Sequence, residues 1–591
     1  MKQLYTPWGA SLDKERVLNE YPRPQMVRES YLNLNGEWDY AISKNEFEKE
    51  FDGKIIVPFS PEAALSGVNR FVEPDDYLIY HRNIVLPEGF NHDKLILHFG
   101  AVDQEAKVYI DNRLAKAHLG GFTPFRVDIT DYVEKNQFSL KVVVRDLSDI
   151  SDRQTGKQKI KRGGIFYTPQ SGIWQTVWLE SVPKQYIENL NITTDFDKSK
   201  VIIRIIPNIE NSTQPARIRL LFKQMLISEK NFQSNTVELF IEDRKDWSPE
   251  APNLYEFEIS YGEDNVQGYF GIRKFERKAD DSGIMRFYLN NKPYFSSGVL
   301  DQGYYPDGLL TCPSDDAMIF DIQSMKDLGF NLLRKHIKIE PLRWYYHCDL
   351  LGMIVWQDMV SGSSRKDIFF HGALAMANIH LNDKWYRLFG RENKESRLQF
   401  LSELDETLQH LKNVTCISTW VPFNEAWGQF DSIKVEKHIK RIDSSRLIDH
   451  ASGWSDQKVG DYHSRHIYFS KIKFKIKNAS KRINALTEFG GYSLMIKGHS
   501  FNPEKVFGYQ KFETTTNLEE AIKNLYLTQV IPELSKGLSV LVYTQLSDVE
   551  DEVNGFLTYD RKVLKIDIEL MKSIHSLISL KFDDAIKDRQ N

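Results

Sequence analysis

A chain of 591 residues is longer than one hydrophobic core supports, so about three domains are expected. With 41% hydrophobic and 27% charged residues and a net charge of −5, it has the make-up of a soluble globular protein and no polyanion-binding signature. That argues against a nucleic-acid partner. No apolar run approaches a membrane span, and Met1-Lys-Gln-Leu-Tyr-Thr-Pro-Trp8 lacks the apolar centre of a signal peptide. No membrane partner is therefore expected, and a cytoplasmic location is, although a secreted chain trimmed of its leader has the same look.

Residues 1–182 have the pattern of an all-β domain. Alternating segments such as Tyr80–Leu86, Lys94–Phe99, Ala106–Ile110 and Phe138–Val144 are separated by turn residues such as Asp111-Asn112 and Gly120-Gly121, as in a β-sandwich or jelly roll. Residues 183–278 form a second β-unit of near-immunoglobulin size, with strands over Val201–Ile206, Ala216–Phe222, Thr236–Phe240 and Leu254–Ile259. Neither unit shows a carboxylate pair or a metal cluster.

From residue 279 to 591 strand-like runs alternate with helical stretches, the signature of βα units. Eight strands are predicted: Tyr294–Leu300, Asn331–Arg334, Met353–Trp356, Thr415–Pro422, Arg446–His450, Ser464–Tyr468, Ile483–Thr487 and Ser539–Tyr543. That number over some 300 residues predicts a (β/α)8 barrel with its site at the C-terminal strand ends. The expectation is that everything before about residue 280 supports the pocket and everything after it builds it. Lys471, Lys473, Lys475, Lys477 and Lys481, alternating with Ile472, Phe474 and Ile476, are expected at an exposed edge. Cys312, Cys348 and Cys416 have neither framework number nor metal-ligand spacing and fit a reducing compartment.

Two apolar runs end abruptly in a carboxylate: Trp420-Val-Pro-Phe-Asn-Glu425 on the fourth strand and Ala485-Leu-Thr-Glu488 on the seventh. A carboxylate there is costly to desolvate unless the strand opens into a polar cleft. Polar residues recur at the same end of other strands: Asp301, Arg334 and His336, Asp358, Asn424, His466 and Tyr468, and Gln545. Singly, each is more often a cap or a structural residue; together they outline one pocket. Two facing carboxylates are the minimal machine for cleaving a glycosidic bond, one protonated as general acid and one ionised. Trp420 and Trp427 flank Glu425 and could form an apolar wall that keeps its proton on, so Glu425 is assigned as acid/base. Asn424 is assigned to a sugar hydroxyl. Glu488, with Gly490 and Gly491 behind it and Arg334 or Tyr468 to hold it ionised, is assigned as nucleophile. Asp301, Arg334, His336, Asp358, Trp427, His466, Tyr468 and Gln545 are expected to line the substrate site. An aromatic content of 12% fits extra core aromatics in large β-domains first, and stacking on sugar rings second.

Several motifs resemble those of glycoside hydrolase family 2, the group of β-galactosidases, β-glucuronidases and β-mannosidases. They are Tyr31-Leu-Asn-Leu-Asn-Gly-Glu-Trp38, Gly120-Gly-Phe-Thr-Pro-Phe125, Ser171-Gly-Ile-Trp-Gln-Thr-Val-Trp-Leu179, Phe270-Gly-Ile-Arg273, Trp420–Glu425 and Thr487-Glu-Phe-Gly490. The resemblance spans nearly the whole chain. It implies a galactose-binding-like jelly roll, an immunoglobulin-like domain and a catalytic TIM barrel. It also implies retaining, exo-acting hydrolysis of terminal β-linked sugars, most like a β-galactosidase or β-glucuronidase. The chain departs from the family pattern at Arg334-Lys-His336, where the histidine stands one position early, and at Gln357-Asp358. No Asn-x-Lys follows the nucleophile strand, and no metal-ligand set is found. A carbohydrate substrate, no required cofactor and no metal are expected, with a homo-oligomer possible. The alternatives are a glycan-binding protein that has lost activity on the same scaffold, and a lyase using the carboxylates for other proton transfers.

Overall fold

The computed structural model describes residues 3–90, 93–364, 368–377, 379–474 and 481–587. The N-terminal domain is a two-sheet sandwich. One sheet has six strands, in spatial order Gly53–Val57, Gly36–Ser43, Tyr77–Val85, Gln137–Arg145, Glu105–Ile110 and Arg113–Leu119; the other has Tyr31–Asn33, Val177–Val182, Lys94–Phe99 and Phe125–Asp128. Gln137–Arg145 buries alternate residues, as a strand with one face on a core must. Trp38, Leu97, Val142 and Ile173 meet between the sheets.

The second domain packs Ile187–Asp195, Lys200–Pro207 and Thr236–Phe240 against Met225–Phe232, Ala216–Phe222, Tyr255–Tyr261 and Asp264–Phe270. Ile203, Ile218 and Phe257 form its centre. A hairpin of Phe275–Ala279 with Met285–Leu289 then runs across position 278, where the sequence reading set its boundary.

Eight parallel strands follow, as expected: β1 (Ser296–Asp301), β2 (Leu332–Lys335), β3 (Ile354–Asp358), β4 (Ile417–Val421), β5 (Leu447–Ile448), β6 (Tyr462–Ile467), β7 (Ile483–Gly490) and β8 (Leu538–Thr544). Their order is 5-4-3-2-1-8-7-6, so β5 and β6 are the two ends of the ladder. Asp461 bridges those ends, its N–H donating to Ile448 O and its carboxylate accepting from Ile448 N–H, both at 2.8 Å. Strands β1, β3 and β8 are buried on both faces, as a barrel wrapped in helices requires. Helices α1 (Asp315–Asp327), α2 (Leu342–Leu351), α3 (Lys394–Leu411), α4 (Ser432–Ile442), α5 (Thr515–Leu525) and α6 (Ile568–Lys587) form much of that outer layer. Ser314 caps α1 by accepting from Ala317 N–H, and Gly352 ends α2 in a left-handed turn.

The first thirty residues tie the parts together rather than belonging to one. Thr6 donates through N–H and Oγ1 to Asp307 in the barrel, at 2.8 and 2.7 Å. Arg28 joins Glu180 of the first domain to Asp264 of the second. Of the lysine-rich segment, Ile472 and Phe474 are buried, and Lys475 and Lys477 lie outside the described residues. The three cysteines are free and buried. Among the described residues no helix is long and apolar enough to cross a membrane.

Candidate active site

Strand alternation decides which predicted residues enter the barrel. On β2, Arg334 points inward and Lys335 outward; on β3, Trp356 and Asp358 point inward and Gln357 meets the α2 tyrosine Tyr345 at 2.5 Å. Arg334 is wholly buried and is the hub of the site. It donates to both Asp358 oxygens at 3.0 Å, to Asn424 Oδ1 at 2.7 Å, to Glu488 Oε1 at 3.3 Å and to Thr487 O at 3.2 Å. Such a rigid fork serves several acceptors at fixed angles, which an ammonium could not. His336 Nδ1 lies 2.8 Å from the same Asp358, and burial holds its pKa well below the usual value, so it is neutral.

Glu425 stands four residues beyond the end of β4. Both Glu425 and Ala426 have left-handed backbones, at φ 51° and 61°, which is uncommon for residues with a side chain. The turn is held by Glu425 N–H on Ser452 O and Trp427 N–H on Asn424 O, each at 2.9 Å. It aims the carboxylate across the mouth toward β6 and β7.

His466 and Glu488 are direct partners in the β6–β7 register, where a local irregularity brings both to the same side. His466 Nδ1 is 2.7 Å from Glu425 Oε1 and 3.4 Å from Glu488 Oε2. Tyr468 Oη donates to Glu488 Oε2 at 2.7 Å and is itself stacked on Tyr509, ring centroids 3.7 Å apart. One oxygen of Glu425, one of Glu488 and a nitrogen of His466 all fall within 4.8 Å of one another. The three are also donors of the kind a cation accepts, but they are the same atoms that the chemistry below uses.

Burial raises both glutamates above the ordinary carboxylate range, Glu425 to about 7. Against that burial, His466, Arg334 and the Tyr468 hydroxyl lower the Glu488 pKa, while the charge of Glu425 raises it, and Glu488 alone of the two accepts hydrogen bonds from both Arg334 and Tyr468. Two carboxylates this close do not both ionise readily, and the better-stabilised charge is on Glu488. Burial lowers His466 to about 4, so it is neutral at pH 7.

The network assigns the same proton. Thr487 Oγ1 donates to Arg465 O, and Ser452 Oγ donates to Thr487 Oγ1 at 3.0 Å. His466 Nε2, 3.1 Å from Ser452 Oγ, then carries the ring hydrogen, which leaves Nδ1 an acceptor for a protonated Glu425. Gly453 makes room for the ring: at φ 82°, a Cβ there would lie 2.5 Å from His466. Gly453→Ala is expected to lower kcat by about ten- to a hundredfold through displacement of His466. Steady-state kinetics with a melting curve as folding control checks this.

Three predicted contacts fall elsewhere. Asp301 is in register with the outward Lys335 and is paired to it at 2.7 Å, in the layer between barrel and helices, so it faces away from the pocket. Trp420 donates to Asp443 Oδ2 at 2.9 Å beside Arg446, also outside the barrel, and is no wall for Glu425; the apolar setting of that carboxyl comes from general burial. Gln545 is buried, with its amide taken up by Gln302 and Asn554, at 2.8 and 2.9 Å. Trp427 is buried at the mouth, edge-on to Phe166 at 5.5 Å.

Sequence reasoning missed Ser452 and Gly453, which the strand-end rule would have found had β5 been longer than two paired residues. It also missed Lys157 and Tyr167 of the first domain and Glu552 after β8, which come together only in the folded chain. Residues before 280 therefore help to build the pocket as well as support it.

An eight-stranded parallel barrel with a carboxylate pair at its strand ends, behind two β-sandwiches, defines a TIM-barrel protein with one polar centre. Models of Glycosyl hydrolases family 2 match in chain order: the sugar binding domain over residues 65–183, the model described simply as Glycosyl hydrolases family 2 over 185–273 and the TIM barrel domain over 284–488. The chain belongs to this family. A putative beta-glucuronidase of Formosa agariphila is 28% identical over 296 residues, covering 47% of this chain and 34% of that one. A beta-galactosidase of Thermoanaerobacter pseudethanolicus is 23% identical over 495 residues, covering 79% and 62%. The chain thus spans less than two thirds of the length of either relative. The solved beta-glucuronidase of an uncultured Clostridium sp. superposes with a TM-score of 0.74 at 18% identity, covering 94% and 99%, which establishes the shared fold.

Proposed function

We propose that the chain is a retaining, exo-acting β-glycosidase, of β-galactosidase-like or β-glucuronidase-like type. The observation that carries this is the carboxylate pair itself, oxygens within 4.8 Å, with Arg334 and the Tyr468 hydroxyl donating to Glu488 and burial raising Glu425 to about 7. Retaining enzymes place their two carboxyl groups about 5 Å apart, whereas inverting ones leave roughly 6.5–9.5 Å for a water. The relatives named beta-glucuronidase and beta-galactosidase support the same class.

In this reading a Glu488 oxygen attacks the anomeric carbon while the bond to the leaving oxygen breaks and Glu425 gives that oxygen its proton. A covalent glycosyl ester on Glu488 results. Water then attacks the anomeric carbon as Glu425 takes its proton back, which frees Glu488 and retains the anomeric configuration. Asn424, its oxygen fixed by Arg334, turns its amide nitrogen toward the hydroxyl beside the reacting carbon. The reaction needs no cofactor.

Glu425→Gln is expected to slow glycosides with poor leaving groups by about a thousandfold, and nitrophenyl glycosides far less, because a good leaving group needs no proton. Equal loss on both would count against the acid/base role. Wild-type activity is expected to fall above about pH 7 as Glu425 loses its proton. A raised folded-state pKa means that stability from this group is present below the ordinary carboxylate range and is lost as pH rises through about 7. Glu425→Gln should therefore raise the melting temperature more at pH 8 than at pH 5, as thermal scans at both values would show.

A further inference from the structure

A segment of the first domain, residues 152–171, lies over the barrel mouth. Thr155 and Gly156 N–H donate to Ser361 O after β3, at 3.1 and 2.9 Å. Phe166 meets Trp427 after β4, Tyr167 packs on Tyr304 after β1 at 4.9 Å, and Thr168 N–H donates to Glu550 after β8 at 2.8 Å. The segment is thus a fixed roof on four sides of the pocket.

Lys157 belongs to this segment, and Glu552 meets it through Tyr167. Lys157, 8% exposed, hangs from the roof, its backbone carbonyl accepting from Tyr167 N–H at 3.0 Å. Among the described residues no carboxylate lies within 4.0 Å of its ammonium. Glu552, 2% exposed, rises from the loop after β8; its Oε2 accepts from the Tyr167 hydroxyl and its Oε1 from Asn554 Nδ2 at 3.3 Å. Burial raises the pKa of both Glu425 and Glu552; the charge of Lys157 lowers both, and the charge of Glu488 raises that of Glu552. Tyr509 is stacked on Tyr468, whose hydroxyl donates to Glu488.

We propose that Glu552 and Lys157 form a wall that reads a hydroxyl of a neutral sugar and turns uronic acids away. An ammonium only donates and a carboxylate only accepts, whereas a hydroxyl does both and closes the gap between them. A sugar carboxylate could satisfy Lys157 alone and would face Glu552 and the ionised Glu488. Arg334 offers it nothing, since that guanidinium is wholly buried and already shared by Asp358, Glu488 and Asn424. The inference rests on the glycosidase reading and narrows it to neutral β-glycosides, the galactosidase-like side.

The test compares sugars that differ only at C6: nitrophenyl β-galactoside against β-galacturonide, and β-glucoside against β-glucuronide, with Glu488→Gln as the blank. The neutral member of the better pair is expected to have a kcat/KM about a hundredfold or more above its uronide. Glu552→Gln should shrink that ratio at least tenfold, and Lys157→Met should lower kcat/KM for the neutral glycoside at least tenfold, mostly through KM. Should Glu552→Gln fail to fold, Tyr167→Phe loosens the same carboxylate, and the wild-type ratio stands without any variant. A Glu488-dependent preference for the uronide, or a ratio unchanged in folded Glu552→Gln, overturns this inference while leaving the glycosidase reading intact. A panel in which no glycoside is cleaved above the blank overturns both.

Discussion

A Glu488→Gln variant is expected to lose turnover by on the order of 10⁵-fold, with the fold intact. The amide keeps the shape of the side chain and its place beside Tyr468 and Arg334, but it has no charge with which to attack the anomeric carbon. The loss should appear in kcat for nitrophenyl glycosides as much as for natural ones, since no leaving group substitutes for a missing nucleophile. That contrasts with Glu425→Gln, whose loss depends on the leaving group. Residual activity within about tenfold of wild type would assign the nucleophile elsewhere.

Arg334→Met is expected to be costly to both stability and activity. It strips the buried Asp358 of its bidentate partner, Asn424 of its 2.7 Å donor and Glu488 of its cation. Breaking a buried pair from one side costs about 3–5 kcal/mol, because the remaining charge stays buried alone. In any folded fraction, loss of the cation beside Glu488 disfavours its ionised form, so the acid limb of the pH–activity profile should move to higher pH. Arg334→Lys should recover little, since one ammonium cannot reach Asp358, Asn424 and Glu488 together. Thermal unfolding and a pH profile of kcat/KM measure both effects. An unchanged acid limb would show that Arg334 does not set the charge of Glu488.

Much of the fold was legible because parallel strands buried on both faces are written as short apolar runs between turns. All eight barrel runs could be placed, although Arg446–His450 shrinks to the two paired residues Leu447–Ile448. The rule that polar residues cluster at strand ends found Arg334, Asp358, Asn424, Glu425, His466, Tyr468 and Glu488, which the structure brings together. It could not tell which face a strand-end residue takes. Asp301 and Trp420 look equally eligible in sequence, yet register against Lys335 sends the first outward, and the pull of Asp443 and Arg446 sets the second. Nor does any local pattern announce contacts across hundreds of residues, such as Tyr167 with Glu552, 385 positions apart. The acidic run Glu550-Asp551-Glu552 has the look of a solvated loop, and only the docked first domain makes it a wall.

The most direct measurement is to trap the covalent intermediate. A 2-deoxy-2-fluoro β-glycoside with a fast leaving group slows hydrolysis of the glycosyl ester more than its formation. After incubation and digestion, peptide mass mapping should find one fluoroglycosyl group, on Glu488, with activity lost in proportion to labelling. A label on any other residue, or an untrappable enzyme that releases the inverted anomer, would contradict the double displacement at Glu425 and Glu488.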